Sequence, residues 1–276
     1  MIKIFVDSGS SIKQEEKERY GVEILPLQIT LGDKNYVDGI DLPMDVFYHA
    51  LIEDKQFPKT SLPALGEVEE RVLACVEAGD DVIILTISSG ISGTYGAIKA
   101  LFANQPKVYV IDTKTAVGGV RILVQEANKY LDKPVSFVVE KLMALIPRIR
   151  VVAIPETLEY LHRGGRLKRT AFIVGSLLQI KPLITLDSVD GSVKVLGKAR
   201  GMRNAITALA NALVEQNCDT DYPIVPSYTY TANNVDALIA ATADVYKSQM
   251  IEYDHLDPAI ACHWGPNAFG YIFVAK

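Results

Sequence analysis

The stretch Asp81-Val-Ile-Ile-Leu-Thr-Ile-Ser-Ser-Gly-Ile-Ser-Gly-Thr-Tyr95 decides the reading of this chain. It opens as a short, β-branched, almost wholly apolar run, the mark of a strand buried on both faces. It then breaks into Ser88, Ser89, Gly90, Ser92, Gly93 and Thr94 before a helical pattern takes over at 95–102. A strand that ends in small hydroxyl residues and glycines at a helix start presents backbone N–H groups, hydroxyls and a positive dipole end. The pattern predicts a place to hold an anion, of a kind the stretch alone does not specify.

Around this unit, strands and helices alternate. A strand is expected over 2–6, followed by the polar turn Asp7-Ser-Gly-Ser-Ser11, whose residues suit the N-cap of a helix over 12–20. Residues 22–31 are apolar around Pro26 and read as one edge-like strand. A hairpin-like turn follows at 32–35. Helices are expected over 42–53, with Pro43 in the first turn, and over 64–78, separated by a proline-bounded loop at 57–63. After the focal unit, a strand over 107–111 ends in Asp112, and helical periodicity covers 120–130 and 135–145. This alternation predicts a parallel α/β sheet for the first 150 residues or so.

The character changes after Pro147. A strand over 150–154 precedes a helix over 156–161, which Gly164 and Gly165 stop. A small-residue helix is expected over 171–178. Residues 181–187 and 192–199 flank Val189-Asp-Gly191, a hairpin signal. Helices over 202–215 and 234–245 enclose a strand over 222–230, and the chain ends in an apolar run, His263-Trp-Gly-Pro-Asn267 and a last strand. The expectation is a fold of class α/β with two closely apposed domains, 1–149 as α/β and 150–276 as α+β.

Composition narrows the function. At 276 residues with 49% hydrophobic and 22% charged residues, the chain can bury a sizeable core. A net charge of −5 gives no basic field for nucleic acid or anionic lipid. Cys75, Cys218 and Cys262 are scattered and form no C-x-x-C, which suits a reducing cytoplasm better than a disulfide framework or zinc site. Asp7 interrupts the N-terminal apolar run before a signal peptide could form, and no apolar stretch approaches a bilayer span. A soluble cytoplasmic protein without stable membrane insertion is expected.

Several constellations carry alternatives. Gly90, Gly93 and Gly96, with Asp112 at the end of the next strand, would suit a dinucleotide, although the spacing is not G-x-G-x-x-G. The same loop would serve as a structural turn with Ser92 as N-cap. Thr60 and Ser61 sit between Pro58 and Pro63, which stiffen a loop displaying hydroxyls. Of the histidines, His49 and His162 read as surface or helix-end residues and His255, among Asp254 and Asp257, as solvated. His263 is the best functional candidate. The four share no ligand spacing, so metal is not expected. Ser92 or Thr60 with His263 would give a hydrolase or transferase its nucleophile and base, though no orienting acid can be named. The basic run from His162 to Arg169 would bind phosphate or an acidic partner, or simply oppose a helix dipole.

Taken together, these pieces resemble the DegV family, the fatty-acid-binding subunits that serve bacterial fatty acid kinase. The resemblance rests on Val6-Asp-Ser8, Pro58-Lys-Thr-Ser-Leu-Pro63, Ile87-Ser-Ser-Gly-Ile-Ser-Gly-Thr-Tyr95 and Val110-Ile-Asp-Thr113. It continues through Thr157-Leu-Glu-Tyr-Leu-His-Arg-Gly-Gly-Arg166, Lys181-Pro182, Gly197-Lys-Ala-Arg200 and His263-Trp-Gly-Pro266. It implies an N-terminal three-layer α/β/α domain with a parallel sheet and a C-terminal domain with a mixed sheet. A long-chain fatty acid such as palmitate would lie in the cleft, its carboxylate held by Thr60, Ser92 and His263, with Ser61, Gly93 and Thr94 as neighbours. No cofactor is implied. The carrier would present the carboxylate to a separate kinase subunit for acyl phosphate and phospholipid synthesis, and Arg166, Arg200 and Arg203 would face that partner. The family usually has a small or aliphatic residue where Trp264 stands, Gly where Asn267 stands and Gln where Leu62 stands. These departures bear on chain length and kinase coupling.

Overall fold

The computed structural model describes residues 1–167, 179–246 and 253–276. The first part of the chain runs β1 (Ile2–Asp7), α1 (Gln14–Tyr20), β2 (Val22–Leu25), β3 (Gln28–Leu31), β4 (Lys34–Val37) and α2 (Met44–Ile52). It continues with β5 (Lys59–Ser61), α3 (Leu65–Glu77), β6 (Asp81–Thr86), α4 (Thr94–Leu101), β7 (Val108–Asp112), α5 (Gly118–Asn128) and α6 (Val135–Leu145). Strands β2-β1-β6-β7 form a parallel sheet in that order. Its alternation explains the focal run. Val82 and Ile84 join Phe5, Val68, Val72 and Ile98 on one face. Ile83 and Leu85 join Ile4, Val6, Val120, Val124 and Val138 on the other. Both faces are covered by helices, so every β6 side chain from Val82 to Leu85 is buried, each Val, Ile or Leu contributing about 1.5–3 kcal/mol.

The second part runs β8 (Ile149–Ile154), α7 (Glu159–Arg163), β9 (Ile180–Leu186), β10 (Val193–Arg200), α8 (Met202–Glu215) and β11 (Val225–Tyr228). It ends with α9 (Asn233–Tyr246), β12 (Asp254–His255), α10 (Pro258–Trp264) and β13 (Phe269–Val274). The six strands form a mixed sheet, β10-β9-β8-β13-β11-β12, antiparallel except for the last pair. One face packs Val152, Ile154 and Phe273 on Leu209 and Leu238. The opposite face sends Ile149, Val151, Ile272 and Val274 into the cluster that contains Val120 and Val124. The two sheets therefore share one apolar cluster. Among the described residues no helix is long and apolar enough to cross a membrane. The helix expected over 171–178 lies outside the described residues.

Three local expectations are corrected. Residues 22–31 are two strands rather than one, because Pro26 has no N–H to continue a ladder and Ser8 Oγ accepts the N–H of Leu27 at 3.0 Å. The chain leaves the parallel sheet there and β3 enters a small antiparallel sheet, β4-β3-β5. The proline-bounded loop at 57–63 contains β5, which pairs Thr60 with Ile29. His255 is half-buried rather than solvated, its ring stacked 4.7 Å from that of Tyr228. Helix boundaries also shift, as at α1, which begins at Gln14 because Ser8–Ser10 form a separate buried 3-10 turn that Asp7 caps.

Helix α10 is fixed from a distance. Asp38 Oδ1 accepts the N–H of Ala259 at 3.1 Å, while Asp38 Oδ2 is buried with no hydrogen-bond partner among the described residues. Burial pushes the Asp38 carboxyl up from 3.8 to about 7, and the Asp7 carboxyl likewise. Between these values the folded chain holds protons that the unfolded chain has lost, so these groups make stability fall as pH rises from about 4 to about 7. Asp38→Asn, a neutral stand-in, removes one such contribution. Its stability relative to the parent should therefore rise between pH 4.5 and pH 8 in urea unfolding, and a pH-independent difference would contradict the burial argument.

Candidate functional site

The site assembles from the tips of several elements. Pairing with β3 holds Thr60 at the edge of the small sheet, and His263 occupies the last turn of α10. Thr60 Oγ1 lies 2.8 Å from His263 Nε2. The imidazole reaches this position because it packs on Gly164 at the end of α7, where a Cβ would stand 2.4 Å from Nδ1. Burial, and then the nearby Arg166 guanidinium, hold the His263 pKa down at about 3, so the ring is neutral at ordinary pH.

Arg166 completes this end. Its Nε donates to the carbonyl of Ile91 at 2.9 Å and its Nη1 to that of Gly164 at 2.6 Å. The guanidinium thus bridges the focal loop and the turn after α7. Next to these groups opens a cavity of about 250 Å³. Its polar end carries Thr60, Ser61, Ser92, Arg166 and His263, and its walls include Ile87, Val117, Val151, Leu186, Ile260 and Trp264. Arg166 is the one charged side chain among the described lining residues.

The focal loop contributes differently from the expectation of free N–H groups. Asp7 takes the N–H of Ile87, Asp112 that of Ser89 and Ser88 Oγ that of Gly90. The carbonyl of Thr115 takes that of Ser88, and the carbonyl of Ser88 takes those of Ile91 and Ser92. Helix α4 starts at Thr94 with Gly93, not Ser92, in the N-cap position, and Ser92 Oγ accepts the Thr94 N–H at 3.2 Å. Thr94 itself is fully buried behind Ser92, with their hydroxyls 2.9 Å apart. The Ser92 hydroxyl, rather than a row of backbone donors, is what this loop offers the cavity.

The geometry disfavours the two enzyme-like arrangements. For a dinucleotide, the glycine turn would have to admit a pyrophosphate. Instead the β9–β10 turn covers it: Ser88 Oγ donates to the carbonyl of Gly191 at 2.9 Å, and a Cβ on Gly90 would stand 2.4 Å from the Gly191 carbonyl carbon. Asp112 is occupied by Lys114 at 2.7 Å. For a nucleophile and base, Ser92 and His263 would have to pair, yet Ser92 bonds Thr94 and His263 bonds Thr60. Among the described residues no three His, Cys, Asp or Glu side chains cluster to hold a metal. Arg200 and Arg203 are exposed, outside the cavity, and form no ion pair among the described residues, while Lys168 and Arg169 lie outside those residues. His49 is exposed beside Asp54.

A family model described as uncharacterised proteins of the DegV family matches residues 1–276. The chain belongs to the DegV family. A DegV domain-containing protein from Caldanaerobacter subterraneus is 30% identical over 280 residues, spanning 100% of this chain and 99% of the relative. Among solved structures, a fatty acid binding DegV family protein from Streptococcus agalactiae superposes with a TM-score of 0.91 at 26% identity. It covers 100% of this chain and 99% of its own. A DegV family protein from Thermus thermophilus, described by its fatty acid binding, gives 0.87 at 27% identity with the same coverage. The DegV fold, a parallel and a mixed sheet in one α/β chain, is therefore established.

Sequence reasoning placed Arg166 on a partner-facing surface and missed its seat in the cavity wall. The available signal was Gly164-Gly165, whose second residue, at φ 75°, turns the chain back toward the focal loop. The closure over the glycine turn is testable. Gly90→Ala sets a Cβ against backbone that no rotamer change relieves, and it should cost about 1–3 kcal/mol in urea unfolding. An unchanged midpoint would show that the β9–β10 turn does not rest on Gly90.

Proposed function

We propose that this protein binds a fatty acid and acts as a non-catalytic carrier, presenting the carboxylate to a separate fatty acid kinase subunit. The observation that carries this reading is an apolar cavity with the Thr60–His263 pair, the Ser92 hydroxyl and, among the described residues, one cation, Arg166, gathered at a single end. An alkyl chain gains by leaving water for such walls. A buried carboxylate needs donors around it, and hydroxyls with a guanidinium provide them. Neutral His263 orients Thr60 without adding charge, which leaves Arg166 as the counter-ion among the described residues. The family membership and the fatty acid binding described for the Streptococcus and Thermus proteins support the same ligand class.

In this reading residues 1–149 and 150–276 are the two domains and the acid lies in the cleft between them, with Ser61 and Gly93 beside its carboxylate. The exposed Arg200 and Arg203 face the kinase or its phosphates, and the acyl phosphate formed there feeds phospholipid synthesis. The free cysteines Cys75, Cys218 and Cys262 suit a reducing cytoplasm as its place of action.

Native mass spectrometry of purified protein should find a co-purified fatty acid, and nucleotide or an empty cavity would count against the carrier. Thr60→Ala and Ser92→Ala should each weaken acid binding by about 1.5–3 kcal/mol, the worth of a charge-assisted hydrogen bond, with unchanged circular dichroism. Full retention in both variants would remove the head-group assignment. Reversing Arg200 and Arg203 together to Glu should leave acid binding intact and lower ATP-dependent acyl phosphate formation with a partner kinase. An unaltered rate would place the kinase elsewhere.

A further inference from the structure

Two cavities meet at Trp264. The larger holds the Thr60, Ser92 and His263 end and measures about 250 Å³, and the smaller measures about 20 Å³. Their shared walls are Val117, Val151 and Trp264, of which the indole is the one large side chain. It is wedged between the cluster of Leu158, Leu161 and Ile184 and the shared cluster that contains Val117 and Val151. Trp264 directly follows His263, so about 100° of helix rotation turns the indole away from the head group and into the path of the tail.

The volumes limit what fits. A cavity of about 150 Å³ takes the six carbons of benzene, so about 250 Å³ by the same measure takes about ten carbons. The small chamber beyond the indole has room for about one water molecule. Its lining is almost wholly apolar, and Ser227, 4% exposed, borders it with a hydroxyl that has no hydrogen-bond partner among the described residues. Strand alternation puts Ser227 on the face of Val225, which packs into the cluster shared by the two sheets, and its antiparallel neighbour, Gly270, brings no side chain beside it. The chamber is too small for a length of alkyl chain, and the indole bars the way into it.

We infer that Trp264 sets the length of the bound acyl chain, so that the protein takes a medium-chain acid of about eight to twelve carbons in preference to palmitate. This rests on the fatty-acid reading of the cavity and shortens the long chain that the family resemblance implies. The indole closes the sleeve, and the apolar chamber behind it is too small to take the tail while the indole stands in place.

The test offers delipidated protein an equimolar mixture of saturated acids from octanoic to stearic and reads occupancy by native mass spectrometry. The parent protein should carry decanoic or dodecanoic acid over palmitic acid by at least about tenfold, a preference that excluding two or more methylenes readily supplies. Trp264→Ala should bring palmitic acid within about threefold of decanoic acid. Trp264→Leu, which keeps an apolar side chain in the core, should move the preference the same way and carries the test where the alanine variant fails to fold. Parent protein that takes palmitic or stearic acid as readily as decanoic acid overturns the inference, and so does an unmoved distribution in the folded variants. Protein that takes no acid of any length overturns the fatty-acid reading itself, a different result from either.

Discussion

One hydrogen bond, 2.8 Å between Thr60 Oγ1 and His263 Nε2, joins groups 203 positions apart in the chain. Everything about the site depends on both ends arriving there. Thr60 arrives because Pro26 ends β2 and frees the following residues to pair with β5. His263 arrives because Asp38 holds the start of α10 and Gly164 admits the ring at its end. Burial then keeps the imidazole neutral, which makes it an orienting group for a hydroxyl rather than a second cation. Arg166 is left as the only charge in the described lining, and its position across the focal loop and the α7 turn ties the charge to the joint between the two sheets.

The focal strand and turn keep their place at the carboxyl edge of a parallel sheet, where open α/β sheets collect ligands. What changes is how the turn works. Nearly all of its backbone donors are consumed by Asp7, Asp112, Ser88 and Thr115, so the loop is built by its own polar groups before any ligand is considered. The β9–β10 hairpin then presses on Gly90 and seals the side on which a nucleotide would sit. A turn that looked suited to phosphate becomes a rigid wall carrying one hydroxyl, Ser92. That is economical for a carboxylate, which needs few donors, and inadequate for a pyrophosphate, which needs many.

Much of the fold was legible because the local signals agreed with one another. The unbroken apolar run at β6, the Val189-Asp-Gly191 turn between β9 and β10 and the amphipathic span of α8 are each plain in the local sequence. Residues whose environment comes from distant chain were misread. His255 looked solvated beside two aspartates, yet the rings of Tyr48 and Tyr228 stack on it from other elements. Arg166 looked like part of a basic surface run, yet a two-glycine turn aims it inward. In both cases the flanking residues describe the backbone, and the partner that decides the role lies elsewhere.

The sequence by itself determined the elements, the α/β class and the residue types gathered for the site. Periodicity, turn chemistry and hydroxyl-rich motifs are properties of neighbours along the chain. Only the tertiary structure decided that Thr60 meets His263, that Arg166 rather than a histidine carries the charge in the described lining, and that the glycine turn is closed. It also decided that Trp264 stands between two cavities instead of in plain core. The physical reason is the same throughout. Burial, charge balance and cavity shape are set by contacts between segments far apart in sequence, and no local pattern carries their distances.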